Sequence, residues 1–205
     1  MIIICARFVL LDEGEIAEIN KIVQEVGMKY DGKGLTMKTG EIFPTDAAPI
    51  VLLENGKPSI HLMMWGFPKR DNKGVLINAR SETASQKRMF AAPFARRRCV
   101  IPTTGFLEWE KGKGRAKQKI QFNTADSPML YIAGIYTDYP PKNKDEPPTS
   151  RFVILTQPAN DSISDIHSRM PVILYKNEIR RWLTDIAFAN TIISRNTVGL
   201  IRKAA

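Results

Sequence analysis

The hydrophobic positions of this chain fall mostly in short runs, and most of those runs read as strands. Residues 5–11 alternate loosely and are β-compatible. Pro49-Ile50-Val51-Leu52-Leu53 is an apolar run, Glu54-Asn55-Gly56-Lys57 a turn, and Ser59 to Met64 the returning partner. Asn-Gly between two apolar runs signals a hairpin, because a tight two-residue hairpin turn needs positive φ at its central residues. Further strands are predicted near 99–101, 106–110, 117–123, 129–136 and 151–155. Helical spacing is rarer. Ile16, Ile19, Val23 and Val26 predict one helix, with Asp12 as its cap, Glu15 at capping-box spacing and Gly27 as its stop. Lys176 to Leu183 predicts another, burying Ile179, Trp182 and Leu183, and a short helix is expected over about Ser81 to Phe90. Residues 28–48 read as loop, and Pro140-Pro141 to Pro147-Pro148 as an exposed excursion. There is no internal repeat. Many strands among few helices predict an α+β fold, mainly antiparallel, with a curled, barrel-like sheet. A chain of 205 residues is long enough for one substantial core, and a single domain over 1–205 is expected.

Composition is ordinary, at 43% hydrophobic and 25% charged, but the charge balance is not: 30 Lys and Arg against 21 Asp and Glu give +9. Such a balance favours polyanions, nucleic acid first. Lys111, Lys113, Arg115, Lys117 and Lys119 occupy every second position, which on extended chain places all five on one face. This is either a solvated hairpin tip or a rail for phosphates. Arg96-Arg97-Arg98 is a second cluster, better suited to touching phosphate. Two distant Cys suggest no disulfide framework, and two His make a zinc site poor. No window reaches the ~20 apolar residues of a membrane span. The start Met1-Ile2-Ile3-Ile4 lacks a basic leader, so a reducing cytoplasm is expected.

Four residues carry candidate chemistry. Cys5 is followed by a cation at Arg7, an arrangement that can lower a thiol pKa, although a Cys in an apolar run is often an inert core residue. Cys99 reads as such a core thiol. Glu108, between Leu107 and Trp109, would be desolvated on a strand apolar on both sides, and its pKa would rise into the range of a general acid or base; Glu110 fits a surface carboxylate better. His167 lies in a polar turn, with Asp165 and Arg169 able to tune its charge. His61 lies in a hairpin strand and reads as structural. Asn78 ends the run Val75-Leu76-Ile77, where an amide either orients a reacting group or caps a turn.

Asn78-Ala79-Arg80-Ser81-Glu82-Thr83, Gly105-Phe106-Leu107-Glu108-Trp109 and His167-Ser168-Arg169-Met170-Pro171 occur together with Trp65-Gly66-Phe67-Pro68 and Cys5-Ala6-Arg7. In this combination the chain resembles the SRAP family, the SOS response-associated peptidases whose members cross-link to abasic sites in single-stranded DNA. The resemblance runs from Cys5 to about Leu183, with 184–205 a C-terminal extension. It implies Cys5 as nucleophile and Asn78, Glu108 and His167 as its catalytic partners. It further implies Arg7, Arg80 and Arg88 on DNA phosphates, Trp65, Gly66 and Phe67 as the segment that stacks on bases, and Pro44 and Thr156 in lesser pocket positions. The implied partner is single-stranded DNA carrying an abasic site, handled by a monomer in a nucleoid-associated setting during the SOS response. The implied chemistry is a thiazolidine between an N-terminal Cys and the open-chain aldehyde, with (auto)peptidase and lyase-type activities attached. It requires no metal or organic cofactor.

Three departures stand out. Family members typically begin Met-Cys, whereas Met1-Ile2-Ile3-Ile4 precedes Cys5 here, giving Cys5 a peptide nitrogen in place of an amine. The start is misassigned, or residues 1–4 are a propeptide that the thiol clips, or cross-linking is lost; self-processing is the favoured expectation. Ala6 stands where Gly is usual. Gly40-Glu41-Ile42 stands where an Arg-Tyr-Asn-like segment is usual, at the cost of a phosphate or pocket contact. The competing functions are a thiol peptidase and a non-covalent single-stranded DNA binder.

Overall fold

The computed structural model describes residues 5–10, 16–31, 35–71, 73–110, 118–141, 148–195 and 198–205. In chain order the elements are β1 (Phe8–Leu10), α1 (Ala17–Tyr30), β2 (Gly40–Ile42), β3 (Ala47–Glu54), β4 (Lys57–Trp65), β5 (Phe67–Pro68), β6 (Val75–Leu76), β7 (Asn78–Arg80), α2 (Ser81–Ala84), α3 (Ala91–Arg96), β8 (Arg98–Thr103), β9 (Gly105–Trp109), β10 (Lys119–Asn123), β11 (Leu130–Tyr139), β12 (Thr149–Pro158), β13 (Arg169–Pro171), β14 (Ile173–Leu174), a 3-10 turn (Lys176–Glu178), α4 (Ile179–Thr184), α5 (Ile186–Ile192) and β15 (Ile201–Ala204).

Two sheets organise the chain, and the expected α+β, mainly antiparallel, barrel-like class holds. In the larger, β12, β4, β3, β8 and β11 follow one another and β11 pairs back onto β12, closing a five-stranded barrel. β7, β13 and β14 add to its rim. Two pairings are parallel, β12 with β4 and β12 with β7. The second sheet runs β15-β10-β9-β1-β2, all antiparallel. Its inner face joins the barrel in one hydrophobic cluster through Phe8, Ile42, Phe106, Ile120 and Phe122. The β3–β4 hairpin turns on Asn55 (φ 51) and Gly56 (φ 75), as the Asn-Gly step requires.

Several expectations shift. α1 continues past Gly27 to Tyr30, because Gly27 sits on the exposed face while Ile19, Ile22 and Val26 hold the helix to the core. The capping pair Asp12 and Glu15 lies outside the described residues, as do residues 1–4, 111–117 and most of the Pro-rich excursion. The helix expected over Ser81–Phe90 is the four-residue α2 alone, with turns leading on to α3. Ser85, Gln86, Lys87 and Arg88 are all exposed and offer no apolar stripe, and α3 starts only at Ala91, with Pro93 in its first turn where no N–H is needed. Within 28–48, β2 and the start of β3 replace loop. Among the described residues no helix is long and apolar enough to cross a membrane.

Candidate active site

Glu108 occupies the inner face of β9, where strand alternation points it the same way as Phe106 and, across the pair, Ile120. Phe106 stacks on Phe122 at 5.3 Å, so the carboxyl lies in an aromatic setting and is 7% exposed. Burial pushes its pKa up to about 7, against a smaller lowering by the Cys5 N–H. That N–H donates to Glu108 Oε1 at 2.8 Å, joining the first described residue to one 103 positions on. The carboxyl is thus held against the backbone nitrogen of Cys5.

Cys5 is fully buried and sits at φ +45, a left-handed conformation that strains a non-glycine residue. Burial, then the charge of Glu108, pushes its thiol pKa well up. This overturns the expectation that Arg7 activates it. Arg7 faces the other way: its guanidinium lies between the rings of Phe43 (4.5 Å) and Trp109 (4.6 Å) and pairs with Glu41 at 3.3 Å.

Asn78 and Arg80 lie on β7, paired in parallel with Ile154 and Thr156 of β12. On the opposite edge of β12, Thr156 faces Pro171 and Pro158 faces Arg169. His167 closes the turn that leads into β13, and its Nδ1 accepts the Arg169 N–H at 3.1 Å, which leaves Nε2 to carry the proton of the neutral ring. The Arg169 guanidinium forks onto both oxygens of Glu82 at 2.6 and 2.7 Å and donates to Thr156 O at 2.6 Å. The Arg169 hydrogen bonds, before any other cause, hold the Glu82 pKa at about 2. Asn78, Arg80 and Thr156 thus lie on the neighbouring strands β7 and β12, with His167 in the turn ahead of β13 on the other edge of β12. Asp165, expected to tune His167, pairs instead with Arg202.

Trp65 connects these strands to β1. Its ring packs on Phe8 (5.0 Å) and stacks parallel to Phe152 (6.2 Å), while Nε1–H donates to Ile77 O at 3.0 Å. It is fully buried, as is Phe67, which packs on Phe90 and Tyr139. Neither ring offers a face to a nucleobase, so the base-stacking expectation is corrected: the barrel consumes both rings. Gly66 between them holds φ +113, and a Cβ there would lie 2.7 Å from Val75 Cγ2, so only glycine fits. Arg80 and Arg88 are exposed and Pro44 is half-buried, as surface contacts require. Arg98 is not a surface cation: it is buried and donates to the carbonyls of Phe94, Ala95, Trp182 and Leu183, the C-terminal ends of α3 and α4. Cys99 is buried as expected, and His61 is tied to Glu54 at 2.9 Å. Sequence reasoning missed Glu41 and Glu82 as partners of site cations. The signal available for Glu82 was its place in a motif with a basic counterpart in the His167 segment.

A closed barrel flanked by an antiparallel sheet, with a buried carboxyl on β9 held against the N–H of a buried cysteine just ahead of β1, defines a class of small α+β protein. Residues 4–196 match the model of the family described as SOS response associated peptidase (SRAP), and the chain belongs to that family. It is 26% identical over 185 residues to the abasic site processing protein YoqW of Bacillus subtilis, covering 87% of this chain and 80% of that one. It is 34% identical over 137 residues to the abasic site processing protein YedK of Escherichia coli, covering 65% and 60%. A crystal structure of a Bacteroides thetaiotaomicron protein superposes with a TM-score of 0.78 at 22% identity, covering 98% of this chain and 91% of that one, a likeness of fold.

Proposed function

We propose that the protein processes abasic sites in single-stranded DNA by forming a covalent cross-link through Cys5, after removal of the residues that precede it. The observation that carries this reading is the 2.8 Å contact between the Cys5 nitrogen and Glu108, whose pKa of about 7 leaves it able to give or take a proton near neutrality. Once that nitrogen is an α-amine, with a pKa near ~8, a useful fraction is neutral at pH 7. The amine adds to the open-chain aldehyde, and the carbinolamine loses water to give an imine, the departing hydroxyl being protonated by Glu108. The Cys5 Sγ–H then adds across the C=N bond, sulfur to carbon and proton to nitrogen, closing a five-membered thiazolidine. Asn78 holds the amine, and His167, with its Nε2 proton, assists opening of the sugar ring or positions a phosphate. Arg7, Arg80 and Arg88 grip flanking phosphates, with Pro44 and Thr156 shaping the pocket.

A second reading, self-processing, is favoured by the φ of +45 at Cys5 and by the same Glu108 contact. Sγ attacks the Ile4 carbonyl carbon as its proton passes to the Glu108 carboxylate, the C–N bond breaks, and Glu108 hands that proton to the leaving nitrogen. Water then hydrolyses the thioester, returning the thiol and leaving a carboxylate on Ile4.

The test is incubation with an oligonucleotide carrying one abasic site, followed by a denaturing gel, with intact mass recorded in parallel. A shifted band that Cys5→Ala abolishes supports the reading. The absence of a band from protein shown by mass to begin at Cys5 overturns it.

A further inference from the structure

On the β2-β1-β9-β10 side of the second sheet, alternation sends Phe8, Ile42, Phe106, Glu108 and Ile120 inward, and Arg7, Glu41, Trp109 and Lys119 outward. Two outward cations converge on one carboxylate: Lys119 Nζ reaches Glu41 Oε1 at 2.6 Å, and Arg7 Nη1 reaches Glu41 Oε2 at 3.3 Å. The three side chains remain about one-third exposed, at 36% for Arg7, 30% for Glu41 and 32% for Lys119. The Phe43 and Trp109 rings, 4.5 and 4.6 Å from the Arg7 guanidinium, favour its present position independently of Glu41. A guanidinium and an ammonium about a common point, with their anion on a two-carbon stem, match the demands of a phosphodiester. Arg7 is two residues from Cys5 and Trp109 adjoins Glu108, so this outward patch is carried by the same segments as the two residues of the site, on the opposite face of the sheet from Glu108.

We propose that Glu41 is a resident carboxylate occupying a phosphate subsite made by Arg7 and Lys119, and that a phosphodiester of bound DNA displaces it. The proposal rests on the single-stranded DNA reading above. It assigns Glu41 the role of weakening DNA binding, with Lys119 as a phosphate contact that the carboxylate masks.

The experiment measures fluorescence anisotropy of an undamaged, labelled oligothymidylate against wild type, Glu41→Gln, Glu41→Gln/Lys119→Ala and Asp126→Asn over a range of salt. Asp126→Asn makes the same change in net charge in an exposed turn. Each phosphate contact on a single strand contributes a slope of about −0.7 in log K against log salt, which is roughly fivefold in affinity at 0.1 M salt. Glu41→Gln is expected to tighten binding about fivefold and steepen the slope by about 0.7, and adding Lys119→Ala is expected to cancel the gain. Equal behaviour of Glu41→Gln and Asp126→Asn, with wild type binding normally, overturns the subsite and leaves the functional reading standing. No binding by wild type and Glu41→Gln alike overturns both. A circular dichroism melt confirms that each variant is folded.

Discussion

The N–H of Cys5, just ahead of β1, donates to Oε1 of Glu108 on β9 at 2.8 Å, although the two residues lie 103 positions apart. The carboxyl that should manage protons during covalent chemistry already touches the nitrogen on which that chemistry turns. Its protonation state, not that of the thiol, is the one poised near neutral pH, because burial drives Cys5 far above that range and Glu108 only to about 7.

The first prediction follows from that pKa. Glu108 binds its proton more tightly folded than unfolded, where its pKa is near 4.5. Its favourable contribution is complete below about pH 4.5 and is lost as pH rises through about 7, the difference being on the order of 3 kcal/mol. Wild type should therefore lose stability between pH 5 and 8, and Glu108→Gln should flatten that dependence, as read from thermal melts at the two pH values. The same substitution should slow cross-linking by about a hundredfold and remove an inflection near pH 7 from the rate profile.

Arg169 and Glu82 give the second. The fork onto Glu82 and the bond to Thr156 O tie α2, β12 and the His167 segment together. Arg169→Lys keeps the charge and loses the fork, and should cost about 2 kcal/mol in urea denaturation together with a slower cross-linking rate. Because Glu82 is held at about pH 2, the pair's contribution persists above the ordinary carboxylate pKa and disappears only as pH falls through about 2. A lysine variant as stable and active as wild type would show that the fork positions nothing.

The third concerns Gly66. Its φ of +113 and the 2.7 Å approach of a Cβ to Val75 penalise any side chain twice, by backbone strain and by overlap. Gly66→Ala should destabilise by about 3 kcal/mol, measured by urea denaturation.

These positions also mark what was legible in the sequence. The hairpin at Asn55-Gly56, the apolar runs of β8 to β12 and the desolvation of Glu108 followed from local pattern, because each depends on residues adjacent in the chain. Gly27 misled as a helix stop because the contacts that hold α1 come from its other face. The orientation of Arg7 was hidden because it depends on Phe43, Trp109 and Glu41, which reach it from β9 and from β2 and its exit. Arg98 looked like part of a surface triplet, while its real partners are carbonyls at two helix ends more than 80 positions apart. β11 and β12 are neighbours in the chain, but the parallel pairing of β12 with β4 and β7 joins distant segments, and no window of sequence displays it.

Trp65 provides the last prediction, and it separates a brace from a base-stacking platform. Its indole is fully buried between Phe8 and Phe152 and donates to Ile77 O. Trp65→Phe keeps an aromatic ring but removes the donor, so the Ile77 carbonyl beside Asn78 keeps the Ile154 N–H and loses the indole. The expected cost is about 2 kcal/mol of stability from the lost hydrogen bond and the space left by the smaller ring. A shift in Asn78 should follow, slowing cross-linking at saturating DNA. Affinity for an undamaged single strand should stay within about twofold of wild type, since the ring presents no surface to a base. A loss of affinity at unchanged stability would mean that the ring leaves the core to meet DNA, and the brace assignment would fail.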